Sequence, residues 1–255
     1  HRHFSDIGDY LSPNDILVVN QTRVIPARIY AKKETGGKVE LLLLRQEDEL
    51  TWRALVGGKG LKVGKKVIIE NACHAEIIEV LEGAQRLIRF DEPIEPFFPH
   101  IGNVPLPPYI HAKLEDPERY QTVYAQEPGS AAAPTAGLHF TPRLLAELNE
   151  KGINCAEVTL HVGLDTFAPV TEDDVEEHHI HTEWCQLTPE TAQKITNTKQ
   201  AGGRVVAVGT TSVRTLESAS QTGVTLPTSG ATSLFILPGY EFQAVDIMIT
   251  NFHLP

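Results

Sequence analysis

The sequence predicts an α/β fold class: a mostly parallel sheet with helices on its faces, plus an inserted small antiparallel β-barrel. A short apolar run suited to a buried strand lies at residues 16–19, and alternating strand and helix patterns resume only after residue 140. Residues 28–90 hold short runs of branched residues, separated by glycines and charged turns. Because such runs are typical of small barrels or sandwiches, we expect a discontinuous α/β domain, residues 1–27 and 105–255, around a barrel domain, residues 28–104.

The composition is that of an ordinary globular protein without a membrane segment. Of 255 residues, 41% are hydrophobic and 22% are charged. No apolar run approaches the roughly 18 residues of a membrane span, and no signal peptide opens the chain. Cys73, Cys155 and Cys185 are far apart and lack C-x-x-C spacing, which fits a reducing cytoplasm better than a disulfide framework.

The charge is strongly negative but uneven along the chain. A net charge of −11 argues against a protein that coats nucleic acid indiscriminately. Residues 51–70, however, carry five basic side chains against one glutamate, whereas residues 165–183 carry seven acids and no lysine or arginine. The basic side chains are Arg53, Lys59, Lys62, Lys65 and Lys66. They form either a solvated face or a local phosphate-contacting patch, and both interpretations stay open.

The first predicted element is a buried strand with a polar exit. Turn residues at 12–15 precede the apolar run at 16–19, and a polar stretch containing Arg23 follows at 20–28. Open α/β sheets bind ligands at such strand ends, although an ordinary strand-exit turn explains the pattern equally well. In the barrel segment the expected strands are 28–32, 39–45, 51–56, 65–70, 75–80 and 87–90. The proline-rich residues 92–108 are expected to return to the α/β domain as an extended connector.

A run of small residues at 129–141 is the most distinctive stretch of the chain. It contains Thr135, Gly137 and His139, and small residues let the backbone pass close to a ligand. Thr141 is a good helix cap and Pro142 suits the first helical position, so His139 is expected just ahead of a helix N-terminus that favours anions. A tight structural turn with a packed histidine is the alternative.

Strand and helix patterns then alternate to the end of the chain. Helices are predicted at 143–151, after Thr188 and after Gly209; strands are predicted at 153–160, 204–208, 234–237 and 245–250. Repeated βα units imply parallel strands.

Three further polar clusters join the central run as candidate site segments. One is residues 161–166, with His161 and Gly163; another is residues 250–255, with Asn251 and His253. In the third, Gly209, Thr210, Thr211 and Ser212 precede Arg214, so that backbone N–H groups and a guanidinium could hold a carboxylate. A plain helix cap is the alternative for this third cluster.

Other catalytic or metal motifs are not supported. His178, His181 and Glu183 lack the spacing of known metal motifs, so no metal site is expected. The chain has no G-x-G-x-x-G, Walker loop or G-x-S-x-G.

Six blocks together resemble the S-adenosylmethionine:tRNA ribosyltransferase-isomerases of queuosine biosynthesis. They are residues 20–28, 104–110 (V-P-L-P-P-Y-I), 120–141 (ending A-P-T-A-G-L-H-F-T), 161–170, 206–217 (V-A-V-G-T-T-S-V-R-T-L-E) and 245–255 (ending T-N-F-H-L-P). The resemblance covers essentially the whole chain. It implies an α/β domain with an inserted barrel, in agreement with the residue patterns.

The resemblance also implies a reaction and its partners. The ribosyl part of S-adenosylmethionine is transferred to 7-aminomethyl-7-deazaguanine at the wobble position of tRNA and isomerised, giving epoxyqueuosine, adenine and methionine. S-adenosylmethionine is then a consumed substrate, and no cofactor is expected. The expected partner is tRNA with a GUN anticodon carrying the 7-deazaguanine precursor. We expect a cytoplasmic monomer without membrane contact.

Roles for the candidate residues follow from this chemistry as hypotheses. A base must remove a proton next to the sulfonium, and an acid must assist adenine departure. We assign these roles to His139, with His161 or His253 as second candidate. The expected substrate-binding residues are Arg23, Thr135, Gly137, Gly209, Thr210, Thr211, Arg214 and Asn251. Among them Arg214 would hold the methionine carboxylate, and Arg23 a phosphate or that carboxylate.

Some positions depart from the family pattern. The family usually has aspartate at Gln21, glycine at Asp165 and arginine at Ala168, and the last two positions lie inside the candidate segment 161–170. The sequence is expected to continue beyond both ends. Two rival functions are a non-catalytic RNA-binding barrel protein and a metal-dependent hydrolase using His178, His181 and Glu183.

Overall fold

A computed structural model describes residues 1–107, 110, 114–163 and 182–252. It contains two compact units, one of residues 1–23 with 118–255 and one of residues 24–117. The first is the α/β unit and the second is the barrel unit. The expected domain limits at residues 27/28 and 104/105 stay a prediction.

The α/β unit begins with a short helix and a buried strand. A 3-10 helix, Phe4–Asp9, precedes β1 (Ile16–Asn20), whose five residues are all buried, and β2 (Thr22–Val24) follows. A strand without exposed positions lies inside a sheet that is covered on both faces. The apolar run at 16–19 is therefore part of a buried strand, as predicted.

The barrel unit is a closed antiparallel barrel. Its strands are β3 (Arg28–Lys33), β4 (Lys38–Gln46), β5 (Thr51–Gly57), β6 (Lys66–Ile68), β7 (His74–Val80) and β8 (Gln85–Phe90). The order β4-β5-β8-β7-β6-β3 closes through pairing of β3 with β4. Every neighbouring pair is antiparallel, which confirms the predicted fold class for this segment. Its interior is apolar, with Ile29, Leu41, Leu43 and Ile88 fully buried.

The predicted extended connector after the barrel is partly wrong. Residues 92–108 include a 3-10 helix, Glu95–Phe97, then α1 (Phe98–Ile101) and β9 (Gly102–Asn103), which pairs with β3. Ile94 and Phe98 are buried in the barrel core, and Phe98 meets Trp52 edge-on at 6.3 Å. Burying these side chains favours compact turns, and prolines are tolerated at helix starts.

The rest of the α/β unit alternates strands and helices. After a 3-10 helix (Pro117–Tyr120), its elements are β10 (Glu127–Ser130), a 3-10 helix (Thr135–His139), α2 (Pro142–Glu150), β11 (Asn154–His161), β12 (Glu183–Leu187), α3 (Pro189–Gln200), β13 (Val205–Val208), α4 (Thr210–Ser218), β14 (Thr228–Thr232) and β15 (Ile247–Ile249). As predicted, the Thr141 and Thr188 side chains cap α2 and α3. β10 pairs with β2 in a separate two-stranded sheet.

The main sheet has the order β14-β12-β11-β1-β13-β15. The four strands from β11 to β15 in this order are parallel, and β12 and β14 add an antiparallel edge. This confirms the mostly parallel sheet. The strand expected at 234–237 is wrong, because those residues form no strand, whereas β12 and β14 were not predicted.

Helices cover both faces of this sheet. Ile16 and Val18 of β1 pack on the side of α3 and α4, and Leu17 and Val19 pack on the side of α2. The alternation follows from the two-residue period of a strand. No helix in the described part of the chain is long and apolar enough to cross a membrane.

Candidate active site

The parallel strands deliver several polar segments to one edge of the sheet. Asn20 ends β1 opposite Val158 of β11, and Val208 ends β13 opposite Ile249 of β15. Since parallel strands run in the same direction, their carboxyl ends share an edge. The segments that begin at Gly209 and Thr250 leave the sheet there, beside each other. The Gly209 N–H donates to the carbonyl of Ile249 at 2.8 Å.

The central small-residue run crosses this edge and joins the clusters. A Cβ built on Gly209 would lie 3.7 Å from the Cβ of Ala136. His139 Nε2 lies 3.1 Å from Asn251 Oδ1. The structure therefore brings together three of the four predicted clusters around His139. His253, in the same segment as Asn251, lies outside the described residues.

The bond to Asn251 sets the proton on the His139 ring. An amide oxygen only accepts hydrogen bonds, so Nε2 is the donor in this contact, and the lone pair of the neutral ring is then at Nδ1. The ring is exposed to solvent and packs beside Phe4, with centroids 5.1 Å apart. Phe4 in turn meets Phe140 edge-on at 4.9 Å. His139 is thus oriented yet accessible, as a proton-transfer residue requires.

The other end of the central run is fixed to the end of β11. The Ser130 hydroxyl donates to the Ala132 carbonyl at 2.7 Å and accepts from the Val162 N–H at 3.0 Å. The Ala131 N–H donates to the Val162 carbonyl at 2.9 Å. Ser130 is fully buried. These bonds place residues 129–132 directly beside the second cluster.

His161, the last residue of β11, is held on several sides. Its ring stacks on the Trp184 indole with centroids 5.2 Å apart and an interplanar angle of 16°. A Cβ on Gly129 would lie 2.8 Å from both Cε1 and Nε2 of the ring, so only glycine fits there. Nδ1 lies 2.8 Å from the Thr22 hydroxyl. Desolvation by burial lowers the pKa of His161, and Glu127 opposes that effect.

Arg214 is engaged by a protein carboxylate. Its Nη1 donates to Glu183 Oε2 at 2.5 Å and its Nη2 donates to the Thr232 carbonyl at 3.2 Å. The side chains of Arg214 and Glu183 are only 12% and 10% exposed. Glu183 Oε1 also accepts from the Gly163 N–H at 3.2 Å. A substrate carboxylate would have to take the place of Glu183, a partner that sequence reasoning missed.

The start of α4 offers backbone donors. Gly209 is the N-cap with φ of 84°, and no side chain caps the helix. The first N–H groups of a helix have no partner within it, so an anion is favoured there. Ser212 donates to the Val208 carbonyl at 2.8 Å, while the buried Thr211 hydroxyl has no partner among the described residues. Thr210 is exposed.

Gly137 serves packing in this structure. A Cβ on Gly137 would lie 2.0 Å from the Tyr124 hydroxyl and 2.9 Å from Thr122 Cγ2. The close approach expected from the small residues is therefore to Tyr124, which sequence reasoning did not select. Thr135 is half-buried at the start of the 3-10 helix. The substrate-binding roles of Thr135 and Gly137 stay predictions.

Arg23 and Gln21 lie near the end of β1. Arg23 forms an ion pair with Glu118 at the surface. Gln21 donates to the Thr159 hydroxyl at 3.1 Å. Asp165, Ala168, His178 and His181 lie outside the described residues. Within the described ranges, no group of three or more His, Cys, Asp or Glu side chains is placed to hold a metal ion.

A sheet edge that gathers an oriented histidine, a second, half-buried histidine and an uncapped helix start is typical of an α/β enzyme. The signature of the family described as "Queuosine biosynthesis protein" matches residues 1–255. The chain belongs to this family of enzymes.

Named relatives agree with this assignment. The chain is 52% identical over 261 residues to a S-adenosylmethionine:tRNA ribosyltransferase-isomerase of Clostridioides difficile (strain 630). It is 51% identical over 261 residues to the protein of that name in Acetivibrio thermocellus. Each comparison covers 100% of this chain and 76% of the relative. A crystal structure of a Thermotoga maritima S-adenosylmethionine tRNA ribosyltransferase is 35% identical, with a TM-score of 0.46, over 99% of this chain and 72% of that one.

Proposed function

We infer that this chain is a S-adenosylmethionine:tRNA ribosyltransferase-isomerase. It transfers the ribosyl moiety of S-adenosylmethionine to 7-aminomethyl-7-deazaguanine at the tRNA wobble position and isomerises it, giving epoxyqueuosine, adenine and methionine. Family membership across residues 1–255 supports the reaction. The structural observation that carries the proposal is the bond between His139 and Asn251 beside Gly209, at the edge where the strands end.

Two histidines of the candidate site, His139 and His161, are proposed for proton transfer. Removal of the proton next to the sulfonium needs an accessible, unprotonated nitrogen, and Nδ1 of the exposed His139 meets that need. His161 is half-buried and stacked on Trp184, and its lowered pKa keeps it neutral near pH 7. His161 or His253 is the second candidate for these proton-transfer roles.

The substrate carboxylate has two candidate holders. The N–H groups of Thr210 and Thr211 at the start of α4, next to Gly209, supply donors without any rearrangement. Arg214 would add a bidentate grip if the carboxylate exchanged with Glu183. The backbone turn therefore holds the carboxylate first, and Arg214 strengthens that hold after the exchange. Arg23 contacts a substrate phosphate after release from Glu118.

The wider setting of the reaction is part of the same proposal. The tRNA substrate has a GUN anticodon, and the enzyme works as a cytoplasmic monomer. S-adenosylmethionine is consumed, so the enzyme needs no separate cofactor for the transfer. The residues named above bind, orient and move protons, and the sulfonium itself supplies the leaving group.

The test is product analysis combined with a histidine substitution. The protein is incubated with S-adenosylmethionine and tRNA carrying the deazaguanine precursor, and digested nucleosides are examined by mass spectrometry. We expect epoxyqueuosine together with released adenine and methionine. His139→Ala is expected to lower kcat about 10²–10⁴-fold, the usual contribution of general acid–base catalysis.

His100→Ala is the matched control, because His100 is an exposed histidine of the barrel unit. It should retain wild-type turnover. Near-normal turnover of His139→Ala would remove His139 from the base role while leaving the reaction in place. Absence of product from the wild-type protein, with tRNA still bound, would favour the RNA-binding alternative.

A further inference from the structure

Positive charge is concentrated at one end of the barrel. The turn between β3 and β4, the loop between β5 and β6, and the turn between β7 and β8 all leave the same end, because neighbouring strands are antiparallel. Six lysines flank these turns: Lys33, Lys38, Lys59, Lys62, Lys65 and Lys66. We call this set the lysine end. The acids of the turns are Glu34 and Glu82, and on β7 Glu76 lies opposite Lys66 and Glu79 lies near the strand end.

The opposite end of the barrel is acidic. The turn between β4 and β5 holds Glu47, Asp48 and Glu49, and Glu70 lies in the turn between β6 and β7. Asp91, Glu92 and Glu95 follow β8 at this end. The barrel unit is thus nearly neutral in total, yet its charges are separated along the barrel axis.

The lysine end is not neutralised by the protein. Other basic side chains of the barrel have acidic partners: Arg28 with Glu40, Lys32 (opposite Lys38) with Glu70, and Arg45 and Arg53 with Glu47. Within the described part of the chain, none of the six lysines has a carboxylate within 4.0 Å. All except Lys33 are exposed.

The loop that carries Lys59, Lys62 and Lys65 is fixed to the barrel. Lys33 Nζ donates to the Lys59 carbonyl, and the Lys65 N–H donates to the Lys62 carbonyl at 3.1 Å. The Ile77 N–H donates to the Lys65 carbonyl at 3.0 Å. Leu61 is 5% exposed and belongs to the barrel core. An ordered loop presents charge at a lower entropic cost than a mobile one.

The charge of the α/β unit makes the lysine end stand out. Residues 24–117 contain 13 Lys and Arg against 14 Asp and Glu, whereas the rest of the chain contains 9 against 19. A polyanion is therefore repelled by most of the protein and attracted at the lysine end. We propose that the lysine end binds the sugar-phosphate backbone of the tRNA substrate. This proposal rests on the proposed function.

The test removes three charges without altering the fold. In the variant Lys59→Gln/Lys62→Gln/Lys65→Gln, we expect tRNA affinity at about 0.1 M salt to fall roughly tenfold, and the slope of log affinity against log salt to shrink by about 2. Binding of S-adenosylmethionine should be unchanged. The variant with arginine at the same three positions keeps the charge and should bind tRNA like the wild type.

Lys151→Gln/Lys194→Gln/Lys199→Gln is the matched control. It makes the same change in net charge on the α/β unit, and we expect a small, salt-insensitive effect. Equal weakening by both triple variants, or no weakening by the loop variant, would overturn the proposal. Product formation is measured in the same preparations. If the wild-type protein forms product but the lysine-to-glutamine loop variant binds tRNA normally, only the proposed docking surface is wrong. If the wild-type protein forms no product, the proposed function itself fails.

Discussion

The barrel unit and the α/β unit bury different kinds of side chain. Among the described residues, Thr51 is the single buried polar side chain of the barrel unit, whereas the α/β unit buries twelve, including Asp15, Asn20 and Glu217. A closed barrel pairs its own backbone through hairpins and needs few internal anchors. An open sheet must hold long returning loops at its edges, and hydrogen bonds of buried polar groups fix these loops in place.

Two of these anchors show how the returning loops are held. The Asn20 amide donates to the Leu160 carbonyl and accepts from the N–H groups of Leu160 and Thr22, all at 3.0–3.1 Å. It thereby fixes the end of β1 against β11. Asp15 pairs with Arg204 at 2.7 Å and is almost fully buried. Such satisfied groups specify one arrangement, because leaving any partner unpaired is costly.

The largest expected effect comes from removing the Glu217 carboxylate. Glu217 is fully buried and accepts from the Tyr240 hydroxyl and from the N–H groups of Gln243, Ala244 and Val245, at 2.9–3.0 Å. Glu217→Leu would leave three N–H groups unpaired, at about 1–3 kcal/mol each. Leu41→Ala in the barrel should cost about 2–5 kcal/mol by creating a cavity.

The two tryptophans report these effects separately. Trp52 lies in the barrel core and Trp184 lies in the α/β unit, so single-tryptophan variants follow each unit by fluorescence during denaturant unfolding. Glu217→Leu should shift the Trp184 transition and Leu41→Ala the Trp52 transition. Glu147→Leu, at an exposed glutamate of α2, is the control. Similar loss from Glu217→Leu and Glu147→Leu would break the comparison.

Substitutions at two glycines test whether the position of the His161 ring matters for catalysis. Gly129 (φ of 145°) abuts the His161 ring, whereas Gly230 (φ of 154°) has nothing within 4 Å of its added Cβ. Both substitutions to alanine carry the same backbone strain, but only Gly129→Ala pushes on the imidazole. We expect Gly129→Ala to lower kcat at least about tenfold, since small misplacements of reacting groups are costly.

Steady-state kinetics of the two alanine variants provides the measurement. Gly230→Ala should show the stability loss of a strained residue, of order 1 kcal/mol or more, with near-normal kcat. Equal kinetic losses in both variants would show that backbone strain alone explains the effect and that the His161 contact does not matter.

The smallest expected effect is a pH dependence in the α/β unit. Desolvation lowers the pKa of His161 below its ordinary 6.5, with Glu127 opposing. Between the lowered pKa and 6.5 the unfolded chain binds a proton that the folded chain does not. The free energy of unfolding therefore rises with pH through that window, and the folded state is destabilised by His161 as pH falls through it. The barrel histidines His74 and His100 are exposed and lack this burial.

NMR of the His161 ring resonances between about pH 4 and 8, a span that includes the ordinary histidine pKa, measures the pKa of His161 directly. Trp184→Ala opens the stacked face of His161 to water and should raise its pKa towards 6.5. The charged group that acts on the ring is Glu127, and it does not change in this variant. An unchanged His161 pKa would show that the indole does not exclude water.

The sequence by itself determined the elements whose signals are local. The apolar β1, the six barrel strands and the threonine caps of α2 and α3 were predictable, because period, capping and turn chemistry act over a few residues. The segments around His139, His161, Gly209 and Asn251 were also identifiable from their glycines and hydroxyls. That they meet at one edge follows from parallel strand order.

The tertiary structure alone decided the partners. The segment of β14, T-S-G-A-T, has weak strand propensity and forms a strand by pairing with β12. Several contacts join residues that are distant in sequence. Glu183 binds Arg214, and Gly129 and Trp184 contact the His161 ring. The Tyr124 hydroxyl occupies the space next to Gly137 where a Cβ would lie. Local sequence patterns indicate which side chains a segment contains. The partners of those side chains are determined only when the folded chain brings remote donors, acceptors and rings into contact.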